Sequence, residues 1–422
     1  MFHPGIELAM GNDYQGIAPL AQRTHREVIM LDQRGTGHSE PPLACPEVRA
    51  MSEKVLGARL SDPSARDALT SAAAVCHDRL VSEGIDPSAY TLEAAAADAE
   101  DLRRALSIER WNIHVIGTAS RITMEMIRRF PEHIRSVQLD SPQFPQLEGL
   151  TEAPRDLRDA MGQLFAACAK DARCDRAFPE LATAFVEVIT QLNADPVTVS
   201  VRRGSHGIDL DHPVNVIVDG AAFVRAIRVM VSDGGPEGAP LVPLTVSAAH
   251  RGDLRLAARF LALDPGGCVG YLPFCEWNDY SEGTYYSFLC HDEVPFVDPS
   301  RLESWAAGDQ GIVEAFGRSP YPDICEVWPV GKTDAVANEP VSSDIPTLIF
   351  HGAFDAYSPA SLVEEAEARL SSAYLVEFPY NGHNLLAFDC PRRFRNVWVD
   401  APTLPPDTGC VVRMPAPRFA LR

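Results

Sequence analysis

The chain has 422 residues, of which 46% are hydrophobic and 23% are charged, as is typical of a globular protein with a substantial core. Its formal net charge of −21 disfavours nucleic acid or an anionic membrane as the main partner, because both repel an acidic surface. No apolar run reaches the roughly 18–20 residues of a membrane-spanning helix, so no membrane span is expected.

The ten cysteines include no C-x-x-C motif and no Cys/His cluster of the metal-binding type, so neither a metal nor another cofactor is expected. Their even number predicts disulfides in a secreted or periplasmic protein; buried free thiols in a cytoplasmic protein are the alternative. The first residues, MFHPGIELAMGN, lack the features of a signal peptide. Export would therefore depend on a signal outside this sequence.

The first part of the chain predicts alternating helices and strands. Residues 26–31 form a short apolar strand that ends in the glycine-rich turn DQRGTG. A loosely amphipathic helix is predicted over residues 61–83, and Thr91 is expected to cap a second helix with one apolar stripe. Trp111–Ile116 is then the first strand of a strand–helix–strand unit. This order predicts a parallel sheet covered on both faces.

After Asp140-Ser141-Pro142 the regular alternation stops for about 200 residues, which are mainly helical in pattern. A small hairpin is predicted from Val197–Val201 and Val214–Val218, and a helix pair over residues 238–263.

The strand and helix pattern resumes at residues 346–350, followed by a helix capped by Ser358 and by the strand Tyr374–Phe378. We therefore predict a core made of residues 1–144 and 341–422, with a helical lid at residues 145–340.

The stretch Trp111–Pro142 reads as strand, abrupt turn, helix and strand, which is where an α/β-hydrolase places its nucleophile in the motif G-x-S-x-G. The matching residues here are Val115, Ile116, Gly117, Thr118 and Ala119. Glycine thus stands at the serine position, and both flanking glycines are replaced. Gly117 would keep the turn, because glycine accepts a positive φ at little cost. Ser120 is the alternative nucleophile, but it lies about 5 Å further along the helix axis.

Seven separated segments resemble the tripeptidyl-aminopeptidase and prolyl-aminopeptidase branch of the α/β-hydrolases, which are serine exopeptidases and related esterases. In the family's order they are LDQRGTGHS, RRFPEHIRSVQLDSP, YYSFLCHDEVPF, CEVWPVG, GAFDAYSP, NGH and the tail CPRRF…DTGC. The resemblance covers nearly the whole chain. It implies an α/β-hydrolase fold and an ancestral release of short peptides from a free N-terminus through an acyl-enzyme, with a peptide or small ester as substrate.

The same resemblance assigns Asp355 as the catalytic acid and His383 as the base. A carboxylate at Asp355 can accept the Nδ1 proton of His383 and leave Nε2 to act as base. Gly5, in the segment HPG, and Thr118 would supply oxyanion-binding N–H groups.

Acidic lid residues of the aminopeptidase relatives bind the free α-amino group of the substrate. Asp292 falls on the usual acidic position, with Glu293 beside it. A solvated acidic loop is the alternative for this pair.

The resemblance also suggests the disulfides Cys45–Cys76 and Cys290–Cys325. Closeness in sequence favours Cys168–Cys174 as a bridge within one lid loop, and Cys390–Cys410 as a tie for the tail.

The beginning of the chain departs from the family, in which about three strands precede the HPG segment. One of those strands would lie in the sheet between residues 28–31 and Trp111–Ile116. Residues 1–25 look polar and helix-like, so these N-terminal strands are expected to be missing. Because a gap would leave unpaired backbone groups in the sheet, a mis-set or truncated start is favoured.

These observations predict an inactive or impaired hydrolase homologue, either a binding protein or the product of a decaying gene. One alternative is an active hydrolase that uses Ser120 or a water activated by His383. Another is a non-hydrolytic enzyme, such as a lyase, in the same pocket. No nucleic-acid partner is expected, and the sequence does not indicate the oligomeric state.

Overall fold

The computed structural model describes residues 6–10, 20–59, 62–147, 149–205, 208–232, 235–263, 281–305, 319–358, 360–383 and 385–422. The strands are β1 (Ile6–Met10), β2 (Val28–Leu31), β3 (Trp111–Ile116), β4 (Ile134–Asp140), β5 (Val197–Ser205), β6 (Ile208–Val218), β7 (Thr347–Gly352) and β8 (Ala373–Phe378). The helices of the first core part are α1 (Pro46–Val55), α2 (Pro63–Ser82), α3 (Leu92–Ala105) and α4 (Ala119–Arg129).

The helices between β4 and β7 are α5 (Gly149–Lys170), α6 (Ala172–Ala177), α7 (Leu181–Ala194), α8 (Gly220–Ser232), α9 (Gly235–His250), α10 (Arg255–Leu263), α11 (Glu282–Phe288), α12 (Pro299–Trp305) and α13 (Tyr321–Val327). The helices after β7 are α14 (Ala360–Arg369), α15 (Asp389–Trp398) and α16 (Gly409–Val412).

Six strands form one sheet in the order β2-β1-β3-β4-β7-β8, and every neighbouring pair is parallel. Alternate side chains of the central strands point to opposite faces, as the pleat requires. In β7, Ile349 joins a cluster with α3, α4 and α14, while Leu348 and Phe350 join a cluster with α15. Helices therefore cover both faces, and the predicted parallel sheet with a helical insertion is confirmed.

The strand that was expected to be missing between residues 28–31 and Trp111–Ile116 is present, so this part of the prediction was wrong. β1 lies between β2 and β3, where Leu8 pairs with Ile29 on one side and with Ile113 on the other. The segment IELAM has only five residues and contains one charged residue, so its pattern is too short to identify a strand. Its backbone groups are paired by the two neighbouring strands instead.

The insertion between β4 and β7 has its own core, built from α5, α7, α8, α9 and α10. The predicted hairpin is present, with Val197 opposite Val218 and Val201 opposite Val214. Phe354 and Ala356, from the loop after β7, are buried in the same cluster. The lid is therefore packed onto the loop that carries the predicted catalytic acid.

All four predicted disulfides are formed, namely Cys45–Cys76, Cys168–Cys174, Cys290–Cys325 and Cys390–Cys410. Cys268 and Cys275 lie outside the described residues. Each closed loop restricts the unfolded chain and contributes about 2–4 kcal/mol. Within the described ranges, no helix has the length and apolar character to cross a membrane.

Candidate active site

The turn after β3 keeps the geometry of a nucleophile elbow although its central residue is glycine. Gly117 has a φ of +56°, a left-handed conformation that glycine adopts at little cost. Its N–H donates to the main-chain oxygen of Asp140 at 3.0 Å, and its own carbonyl accepts from the N–H of Ser120 at 3.0 Å. Helix α4 begins two residues later, at Ala119. The strand thus passes into the helix through one sharp residue.

Asp355 and His383 form a hydrogen-bonded pair at the carboxyl edge of the sheet. Asp355 Oδ2 lies 2.9 Å from His383 Nδ1, and Oδ1 accepts the N–H groups of Tyr357 and Ser358 at 2.8 and 3.2 Å. Burial alone would raise the pKa of Asp355, but the charge and hydrogen bond of His383 hold it below its usual value. The ionised carboxylate therefore favours the tautomer that carries its proton on Nδ1.

The His383 ring is directed at Gly117, the position predicted for the nucleophile. A Cβ atom built on Gly117 would lie 3.0 Å from His383 Nε2, which is tighter than an ordinary contact. A side chain there would require the ring to move by a few tenths of an ångström. The lid holds this loop in place, because the N–H of His383 donates to Ser232 O at the end of α8.

Asp140 anchors the same loop and was not identified from the sequence. Its carboxylate oxygens accept the N–H groups of Leu385 and Leu386 at 2.9 and 2.8 Å, and Ser141 Oγ donates to it at 2.9 Å. Burial raises the pKa of Asp140 to about 6, although these N–H donors oppose the rise. Its position at the carboxyl end of a buried strand beside the elbow was the available signal.

Ser120 is buried, and its hydroxyl is bound to the backbone around the elbow. Its Oγ lies 2.5 Å from the carbonyl of Gly117 and 2.8 Å from the carbonyl of Gln143, and it accepts the N–H of Gln143 at 2.8 Å. A hydroxyl carries one proton, so these contacts occupy its donor capacity. The side chain connects the elbow to the loop after β4.

Asp292 and Glu293 lie on a π-helical turn, Leu289–Glu293, and both have protein partners. Asp292 accepts the N–H of Leu92 at the start of α3 at 3.2 Å. Glu293 pairs with Arg121 of α4 at 2.9 Å; burial raises its pKa, and Arg121 opposes this rise. Their predicted contact with a substrate amino group stays a prediction.

Of the two residues predicted to bind an oxyanion, the structure describes only Thr118. Thr118 directly follows Gly117, and its Oγ1 donates to Gln143 Oε1 at 3.2 Å. Gly5 lies outside the described residues. The next residue, Ile6, pairs with Trp111 at the start of β3, so it lies at the sheet edge opposite the elbow. The roles of Thr118 and Gly5 stay predictions.

Two further groups of side chains make structural contacts. The Oγ of Ser358 donates to Pro142 O at 2.6 Å and joins the acid loop to the chain after β4, while its predicted cap of α14 stays a prediction. In the described part of the chain, Cys45, Glu47 and Cys76 come close enough to hold a metal ion. Both sulfurs are in a disulfide, however, and cannot act as thiolate ligands.

Comparisons with known proteins agree with this architecture. Residues 1–180 match a family model described as the alpha/beta hydrolase fold, and residues 313–410 match one described as TAP-like protein. No curated protein matches the chain.

Similar solved structures include a hydrolase from Oleispira antarctica, with 13% identity, a TM-score of 0.35, and coverage of 94% of this chain and 91% of that chain. An esterase from Exiguobacterium antarcticum has 12% identity and a TM-score of 0.34, covering 95% and 92%. A proline iminopeptidase-related protein from Thermus thermophilus has 14% identity and a TM-score of 0.31, covering 95% and 86%.

Proposed function

We propose that this chain, which has the α/β-hydrolase fold and a TAP-like C-terminal region, binds small peptides or esters without forming an acyl-enzyme. The observation that carries the proposal is the pair of Gly117 and His383. The base lies 3.0 Å from the position of the missing Cβ, so the dyad is in place while the atoms that would be acylated are absent. Ser120 is a poor substitute, because its hydroxyl is bound to the elbow backbone.

The proposed ligands follow from the resemblance to aminopeptidases that act on a free N-terminus. Glu293 is the better placed of the two predicted lid acids, because its partner Arg121 lies on the elbow helix. Asp292 is directed to α3 instead. We therefore expect a peptide amino group to be recognised on the Glu293 side.

A second candidate function is slow hydrolysis in which His383 activates a water molecule directly. The 2.9 Å hydrogen bond to Asp355 favours this candidate, since it stabilises the imidazolium that forms when Nε2 takes a proton. Such a reaction would pass through no covalent intermediate. It would give slow, burst-free hydrolysis of a peptide or ester arylamide.

Two measurements test the proposal. A fluorophosphonate probe labels only an activated serine, so we expect no labelling of the parent protein, and labelling at Ser120 would contradict the proposal. Binding of peptides with a free N-terminus is measured by calorimetry, and absence of binding to every peptide and ester tried would also contradict it. Burst-free hydrolysis that is lost in a His383→Ala variant would favour the second candidate.

A comparison of elbow variants tests whether the missing hydroxyl is the whole deficit. We expect Gly117→Ser alone to restore little turnover, because its side chain crowds His383 and placement errors of about 1 Å cost about a hundredfold. The triple variant Val115→Gly, Gly117→Ser, Ala119→Gly should recover more. If the single variant reaches the turnover of the triple variant, the flanking residues do not impair the elbow.

We further propose an extracytoplasmic location, secreted or periplasmic. The four disulfides support it, because such bonds form and persist in oxidising compartments. Peptide mapping of the purified protein without reduction should recover the four bridged pairs, and free thiols at these positions would contradict the location.

A further inference from the structure

Arg228, on lid helix α8, lies over the loop that carries the catalytic acid. Its guanidinium carbon is 4.1 Å from the centroid of the Tyr357 ring, and Nη2 donates to Ala356 O at 3.4 Å. Tyr357 in turn contacts the ring of His383 edge-on, with 5.3 Å between ring centroids. Arg228 is therefore one aromatic ring away from the base.

The guanidinium of Arg228 is only partly satisfied. Its Nε is buried and has no hydrogen-bond partner among the residues that the structure describes. Arg225 lies one helical turn earlier on the same face of α8, and its Nε is buried in the same way. A buried donor that is left unpaired destabilises the fold. Because each Nε is buried, a ligand oxygen at this face would bind the Nη groups of the two guanidinium groups.

The acids nearby are already paired with other arginines. Glu152 pairs with Arg301 at 2.5 Å, and Asp156 pairs with Arg155 at 2.8 Å. Burial raises the pKa of Asp156 to about 6, while Arg155 and the more distant Arg228 oppose the rise. Within the described ranges of the lid, these two acids therefore form their ion pairs with arginines other than Arg225 and Arg228.

We propose that Arg225 and Arg228 form a carboxylate-binding site on the lid, beside the Asp355–His383 pair. A guanidinium offers a planar fork of donors that matches a carboxylate, and it stacks on an aromatic ring without losing these donors. The ligand class is a short peptide or acyl compound with a free carboxylate near the group that faces Gly117. This inference rests on the proposed function, since it names a chemical feature of the ligands of the same pocket.

The test compares trialanine with its C-terminal amide by calorimetry at neutral pH. The parent should bind the acid more tightly than the amide. Arg228→Gln should weaken binding of the acid about 10- to 100-fold and change binding of the amide less than about twofold. Arg228→Lys keeps the charge but loses the fork, so an intermediate effect is expected. Arg225→Gln should also weaken binding of the acid.

Arg259→Gln is the matched control, because it removes an exposed arginine from the neighbouring lid helix α10 and should change neither affinity. Circular dichroism and thermal melting of each variant establish that it is folded. Equal binding of acid and amide by the parent, unchanged by Arg228→Gln, would overturn the carboxylate site and leave the proposed function standing. Binding of neither peptide would overturn the carboxylate site, whereas the proposed function is overturned only when no other peptide or ester binds either. Inorganic phosphate that competes as well as the acid would overturn the assignment to a carboxylate.

Discussion

Replacing Asp140 by asparagine tests the role of a buried negative charge in the His383 loop. The carboxylate is buried and accepts the N–H groups of Leu385 and Leu386, so its two oxygens fix the chain just beyond His383. Asparagine keeps the shape and one acceptor oxygen, but it removes the charge. The variant therefore separates the electrostatic cost of Asp140 from its packing.

The size of the effect follows from the pKa of Asp140, which burial raises from 3.8 to about 6. A pKa difference of this size between the folded and unfolded states corresponds to about 3 kcal/mol in the free energy of unfolding. Because the pKa of Asp140 is higher in the folded state than in the unfolded state, protonation of Asp140 stabilises the fold. This stabilisation is fully present below the unfolded-state pKa. It is lost as the pH rises through about 6. About 2 kcal/mol of it is lost between about pH 4.5 and about pH 8.

The assay is urea unfolding with the disulfides intact, followed by tryptophan fluorescence, for the parent and Asp140→Asn at both pH values. The free energy of unfolding of the variant, minus that of the parent, should be about 2 kcal/mol larger at about pH 8 than at about pH 4.5. Taking this difference cancels the titration of other groups. Asp67→Asn is the control, because Asp67 is exposed and this variant should follow the parent at both pH values. Parallel curves for the parent and Asp140→Asn would refute the reasoning.

Three further changes should alter stability. Gly117→Ser should lower the free energy of unfolding by about 1–3 kcal/mol, because a side chain at this positive φ is strained; urea unfolding at neutral pH measures it, and an unchanged midpoint would contradict the strain. Arg121→Met should cost about 3–5 kcal/mol by the same assay, since it leaves the buried Glu293 carboxylate unpaired, and a loss below about 1 kcal/mol would show that Glu293 finds water instead. Replacing Cys390 and Cys410 by serine should cost about 3 kcal/mol, and no loss would mean that the tail is held by its other contacts.

The core could be predicted from the sequence because its signals are local. Thr91 accepts the N–H of Ala94 and caps α3 as expected from its place before an apolar stripe. Gly117 was expected to keep a turn with positive φ, and it does. The pairing of Asp355 with His383 followed from two short motifs at the ends of late strands. In each case a few neighbouring residues determine the structure.

The missed features depend on contacts between distant segments. β1 forms because two strands pair with its five residues, and the segment alone carries too little pattern to reveal this. In the sequence, Asp140 resembles an ordinary strand end. Its role depends on the N–H groups of Leu385 and Leu386, which are distant in sequence. The partners of Glu293 and Arg228 likewise come from other elements. A single sequence does not indicate which distant side chains will meet.

The site is held together by groups other than the nucleophile, and this explains why its geometry persists without a serine. Asp140 binds Gly117 through its main-chain oxygen and the chain after His383 through its carboxylate. Asp355 is fixed by the N–H groups of its own turn, and the backbone of His383 by the lid. Glycine at position 117 also avoids the strain of about 1–3 kcal/mol that a serine carries at this φ. Because these bonds stabilise the fold whether or not the dyad acts on a substrate, the intact Asp355–His383 pair is weak evidence for catalysis, and ligand binding beside Gly117 is the decisive measurement.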